Sequence, residues 1–204
     1  MRRSLSLALC CSLLVSSAAA LAAPPATDTY DVVVYGGTSA GVAAAVQVKR
    51  QGGTVVVIEP TRRLGGLTTG GLGQTDIGNK GAIGGIAREF YGRVKKYYDR
   101  PEAWRQQKRE QYRDGGQTRT GKEEDTMWTF EPSAALVIMN ELVKEHEVPV
   151  VYDERLDRTG GTPGNGETKA LARGVKTQGN RITEIVMESG RTFRGRVFID
   201  CTYE

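Results

Sequence analysis

Hydrophobic residues in this chain follow two rhythms, and their order sets out a fold. Val32-Val33-Val34-Tyr35 and the run Thr54 to Ile58 are continuous and rich in β-branched residues. Such runs are typical of strands covered on both faces. Between them lie Gly36, Gly37, Thr38, Ser39, Ala40 and Gly41, then an alanine-rich segment that predicts a helix, which Gly52-Gly53 would stop. Strand, helix and strand in this order form a βαβ unit of a parallel sheet.

Helical spacing returns at Ile86, Phe90, Val94 and Tyr97, before Pro101, and again behind Glu131-Pro132, where Leu136, Met139, Leu142 and Val143 supply a buried face. Val148 to Tyr152 predicts a third strand. Ala172–Thr177, Arg181–Glu188 and Arg191–Arg194 are then short β-rich pieces joined by Gln178-Gly179-Asn180 and Ser189-Gly190. They read as an antiparallel meander. A last strand, Val197 to Cys201, carries Asp200, Cys201 and Thr202 at its carboxyl end, where open α/β sheets hold their ligands. Two stretches stay outside this pattern. Glu102 to Thr126 is polar, a helix broken at Gly115-Gly116 or a solvated insertion, and Asp157 to Thr168 is a loop by composition.

The first βαβ unit also carries chemistry. Gly36 permits the tight turn out of the strand, and Gly41 allows close packing of helix on sheet. The first helical turn offers unpaired amides and the positive end of a dipole, which suit a diphosphate. Glu59, at the end of the second strand, stands where a carboxylate accepts ribose hydroxyls. Thr38 occupies the middle glycine position of G-x-G-x-x-G, and its hydroxyl could bond a phosphate oxygen. Pro60 follows Glu59, and Gly65-Gly66 lies six residues beyond it. From Leu64 to Gly85 the chain is crowded with glycine, threonine and asparagine, a composition that lets backbone lie against a flat ligand.

The strings VVVYGGTSAGVAAA, LGGLTTGGLGQTDIGNKGAIGGIAREFY, FEPSAA and ESGRTFRGRVFIDCTYE resemble a secreted bacterial family of FAD-dependent oxidoreductases, of the glutathione-reductase-like type. The resemblance implies a Rossmann-like FAD/NAD(P)-binding domain in which the meander is a crossover between parallel strands. FAD is the cofactor it implies, with Gly65, Gly66 and the Thr68-Thr69-Gly70 region nearest the flavin and its ribityl chain. Val150 and Val151 would flank the adenine through their backbone. Relatives continue past Glu204 with Gly-Asp and a helix, so the resemblance also implies that this is the amino-terminal part of a longer flavoprotein, with the catalytic residues beyond it.

Met1-Arg2-Arg3, an apolar stretch from Leu5 to Ala22 and the Ala20-Leu21-Ala22 site predict a signal peptide over residues 1–22. A linker at 23–29 and the domain at 30–204 would follow, and the product would be periplasmic or extracellular without a stable membrane anchor. Arg2-Arg3 also fits a twin-arginine start, the route for cargo already loaded with flavin. Cys10 and Cys11 leave with such a leader, so Cys201 alone remains and no disulfide framework is expected. Cys201 reads as a small residue packed under the nucleotide. His146, the only histidine, ends a helix whose dipole favours an imidazolium; it has no partner at ligand spacing, and no metal is expected. The net charge of +4 is spread along the chain, which argues against nucleic acid.

The function expected is hydride transfer between FAD and a small-molecule or saccharide-like substrate. An NAD-binding dehydrogenase domain and a flavin-binding module without turnover are the alternatives.

Overall fold

A computed structural model describes residues 27–74, 78–112, 125–160 and 173–203. The signal-peptide segment, Gly115-Gly116 and residues 161–168 of the expected loop lie outside the described residues. Strand β1 (Thr27–Tyr35) leads into helix α1 (Ser39–Arg50) and strand β2 (Val55–Glu59). Val33, Val34 and Val55 to Ile58 are almost wholly buried, as their unbroken apolar runs predict. Helix α1 ends as its glycines require. Gly52 turns left-handed at φ 79°, its amide bonds to Lys49, and the Gly53 amide reaches back to Val48 at 3.0 Å. β1 starts at Thr27, inside the segment expected to be a linker.

The remaining elements are helix α2 (Gly66–Gly70), helix α3 (Gly85–Tyr98), helix α4 (Pro132–Glu145) and strands β3 (Val150–Tyr152), β4 (Val175–Gln178), β5 (Arg181–Val186) and β6 (Thr192–Asp200). One six-stranded sheet runs β3-β2-β1-β6-β5-β4. The first four strands in that order are mutually parallel; β5 runs antiparallel to β6, and β4 antiparallel to β5. On one face α1, α3 and α4 bury Val34, Val57, Phe90, Ile138 and Leu142. On the other, Ile185, Met187 and Phe193 close over Val33, Val56 and Ile58. The meander thus covers the sheet's second face.

Several boundaries differ from the pattern reading. The third meander piece and the last strand are a single strand, β6, because Gly195 does not interrupt it. A Cβ at Gly195 would stand 2.9 Å from Val33, so the glycine serves the close approach of β6 to β1. Val148 precedes β3, since its amide bonds to Val143 and closes the end of α4. In α3 Tyr98 is buried in place of Tyr97, and in α4 Ala134, Ala135 and Ile138 are buried while Leu136 is half-buried. His146 caps α4 with its ring turned back onto the helix. Arg50 Nε can only donate, so Nε2 accepts from it at 3.0 Å and Nδ1 donates to the Leu142 carbonyl at 2.9 Å.

Candidate functional site

The residues singled out in the first βαβ unit meet at the carboxyl ends of β1, β2 and β6. Gly36 leaves β1 at φ 99°, a left-handed conformation, and its amide bonds to the Ile58 carbonyl at 2.8 Å. A Cβ on it would sit 2.8 Å from the Cys201 carbonyl carbon, so β6 ends directly against the turn. At Gly41 a Cβ would fall 2.0 Å from the Gly36 oxygen, which fixes how closely α1 starts beneath the strand.

Thr38 is buried and caps α1. Its hydroxyl donates to the Cys201 carbonyl at 2.9 Å and accepts the Gly41 amide at 3.4 Å. The proton expected for a phosphate oxygen is therefore already committed inside the protein. The amides of Ser39 and Ala40 have no acceptor among the described residues, and these two remain for an anion. The Ser39 hydroxyl lies 2.7 Å from that of Thr68 and 3.1 Å from the Gly65 carbonyl, which ties α1 to α2.

Glu59 is 7% exposed at the end of β2. One carboxylate oxygen accepts the Gly37 amide at 2.7 Å; the other accepts both the amide and the hydroxyl of Thr61, at 2.8 and 2.6 Å. The Thr61 hydroxyl has an alternative acceptor, the Arg63 carbonyl at 3.3 Å. It can turn there when another hydroxyl approaches Glu59. Pro60 follows half-buried, and the chain just past β3 closes on the loop through a bond from the Asp153 amide to the Thr61 carbonyl at 3.3 Å. On the edge strand β3, the Val151 side chain packs into the core beside Ile58 and leaves only backbone for a ligand. Tyr152 stands opposite Glu59; burial, and then that carboxylate, push its phenol upward.

The Gly-Gly pair forms the third wall. Gly65 donates to the Gly37 carbonyl at 2.7 Å and bridges to Thr38. A Cβ on Gly66 would collide with Tyr203, whose hydroxyl accepts the Leu67 amide at 2.8 Å. Thr69 is fully buried, its hydroxyl donating to the Leu64 carbonyl while Arg63 holds its carbonyl. Its side chain locks the loop that the resemblance sets nearest the flavin. Thr61, Tyr152 and Tyr203 escaped the sequence reading. Only Thr61, a hydroxyl two residues beyond a carboxylate, carried a local signal.

Beside the α1 amides opens an apolar cavity of about 260 Å³, lined by Ser39, Ala40, Thr68, Ile86, Phe90 and Leu142 among others. A separate cavity of about 250 Å³, walled by Tyr98, Trp104, Tyr112 and Phe130, contains none of the residues expected to bind. Cys201 is half-buried, and burial, then Asp200, raise its thiol above the ordinary value. Its backbone does the structural work, through the Thr38 bond and a 2.7 Å bond from its amide to the Tyr35 carbonyl. Among the described residues no three His, Cys, Asp or Glu side chains cluster as metal ligands, and no helix is long and apolar enough to cross a membrane.

The set fits a dinucleotide. Free amides at a helix start receive a diphosphate, a buried carboxylate receives ribose hydroxyls, and an apolar cavity adjoins them. The family described as FAD dependent oxidoreductase matches residues 31–204. No curated protein matches the sequence. Among solved structures, a flavin-containing monooxygenase from Stenotrophomonas maltophilia shares 18% identity, with 86% of this chain and 38% of that chain covered, at TM-score 0.46. A bacillithiol disulfide reductase from Staphylococcus aureus gives 17%, 86%, 38% and 0.47. An L-amino acid deaminase from Proteus vulgaris gives 17%, 88%, 54% and 0.48. The chain spans well under half the length of the first two.

Proposed function

This chain belongs to the FAD dependent oxidoreductase family, and on that premise we propose that it is the cofactor-gripping part of a flavoenzyme that moves a hydride between an organic substrate and FAD. One observation carries the proposal: the buried Glu59 carboxylate closes against the Gly37 amide, beside the free amides of Ser39 and Ala40. FAD, when bound, supplies the site that accepts or donates the hydride. The protein's own task is to bind and orient. Ser39 and Ala40 amides hold the diphosphate; Glu59 accepts the adenosine ribose as Thr61 turns its hydroxyl to Arg63. Backbone along β3 flanks the adenine.

The Gly65-Gly66 wall and the meander over the sheet's second face support the glutathione-reductase-like type within the family. Substrate contacts belong to residues outside this set, and a small-molecule or saccharide-like substrate is the class proposed. The basic start and small-residue end of residues 1–22 support export. Amino-terminal sequencing of protein recovered outside the cytoplasm should begin just past Ala22; a start at Met1 would refute export.

The purified protein should show oxidised-flavin absorption that dithionite bleaches. Glu59→Gln, checked for folding by circular dichroism, should bind FAD about tenfold or more weakly, since hydrogen bonds to a charged group contribute about 1.5–3 kcal/mol each. Undiminished FAD affinity in a folded Glu59→Gln protein would defeat the proposal.

A further inference from the structure

Thr38 stands where a dinucleotide fingerprint has its second glycine. The backbone there gives no reason for glycine: φ is −65° and ψ 176°, an extended conformation open to any residue. The hydroxyl, by contrast, is used twice, toward Cys201 and toward Gly41. On one side the turn lies against the end of β6, and on the other Gly65 bonds to Gly37. Thr38 is the side chain that fastens the first of these two sides.

We infer that Thr38 is a positioning residue, which holds the turn to β6 and so directs the Ser39 and Ala40 amides at the diphosphate, and that restoring the consensus glycine weakens binding. The inference rests on the reading of this site as a FAD cradle. By accepting the Gly41 amide, Thr38 withdraws that donor from the anion and caps the first helical turn. By donating to Cys201, it satisfies a carbonyl across the turn. Glycine would lose both bonds and add backbone freedom that binding must then remove.

The test compares Thr38→Ser, Thr38→Gly and Thr38→Val with the parent, each stripped of flavin. FAD affinity is read by flavin fluorescence, with ADP and adenosine as competitors. Thr38→Ser keeps the hydroxyl and should stay within about twofold of the parent, while the other two should bind FAD about five- to tenfold more weakly, the scale of one net hydrogen bond. ADP should lose by the same factor, whereas adenosine, which has ribose hydroxyls and no phosphate, should compete equally throughout. Thr38→Gly introduces nothing that can misfit, so it decides the matter should Thr38→Val not fold. Unchanged or tighter FAD binding by Thr38→Gly overturns the inference, as does an equal loss for adenosine, which marks a merely structural role. A parent that binds no FAD would sink the site reading itself; loss in Glu59→Gln with full binding in Thr38→Gly removes only the inference about Thr38.

Discussion

At Cys201 the main chain and the side chain have separate duties. Its amide and carbonyl join β6 to β1 and to the turn, while the thiol lies half-buried beside Asp200. Burial and that neighbouring carboxylate both disfavour the thiolate, so the thiol stays protonated at neutral pH. Cys201→Ala should therefore leave flavin content unchanged, as measured by absorbance per mole of protein. In the cofactor-free parent, iodoacetamide should react slowly at pH 7 and accelerate only above the ordinary thiol value of 9.0. Rapid alkylation at neutral pH would contradict this account.

Among the elements, α3 and α4 meet through a phenol. Tyr98 accepts the Glu131 amide at 2.9 Å and donates to the Glu131 carboxylate at 3.2 Å, so one side chain serves both helices. Burial is the main force that pushes it up to about 12 from 10.0. Because the folded value is the higher, its stabilising effect is present below pH 10 and is lost as pH rises toward 12. Tyr98→Phe should cost about 1–2 kcal/mol at pH 7 by leaving the Glu131 amide unsatisfied. Thermal melts across pH 9 to 12 should also fall less steeply in the variant than in the parent.

These elements also show what sequence can reveal. β1, α1 and β2 were legible because burial on two faces and a Gly-Gly stop leave local marks. Glu59 was legible because its place follows from the βαβ unit. The commitments of Thr38 and Thr69 were not, since their partners are backbone carbonyls that only the folded chain brings near. The choice of Tyr98 over Tyr97, and of Ile138 over Leu136, depends on how α3 and α4 roll against each other. That Arg191–Arg194 and Val197–Cys201 are one strand was not legible either, because the reason for Gly195 between them, the Val33 side chain, lies on another strand.

Across the whole molecule, the sheet is closed by its first and last strands. β1 pairs with β6 from Thr27↔Thr192 to Tyr35↔Asp200, and Phe193 sits fully buried beneath the meander. A chain ended at Gly190 would lack β6, leave β1 with one neighbour and open the second core face. Such a chain should show no cooperative thermal transition by circular dichroism; a sharp melt would argue that β1, β2 and β3 suffice alone.

The bond from Thr38 to Cys201 spans 163 residues. On the ribosome, α1 and β2 emerge long before their anchor exists. A nascent chain thus displays the phosphate turn without its clamp until synthesis has passed Cys201, and contacts that distant in sequence form slowly. Full-strength grip on the cofactor therefore awaits the arrival of β6, although the βαβ unit that recognises the nucleotide is made first.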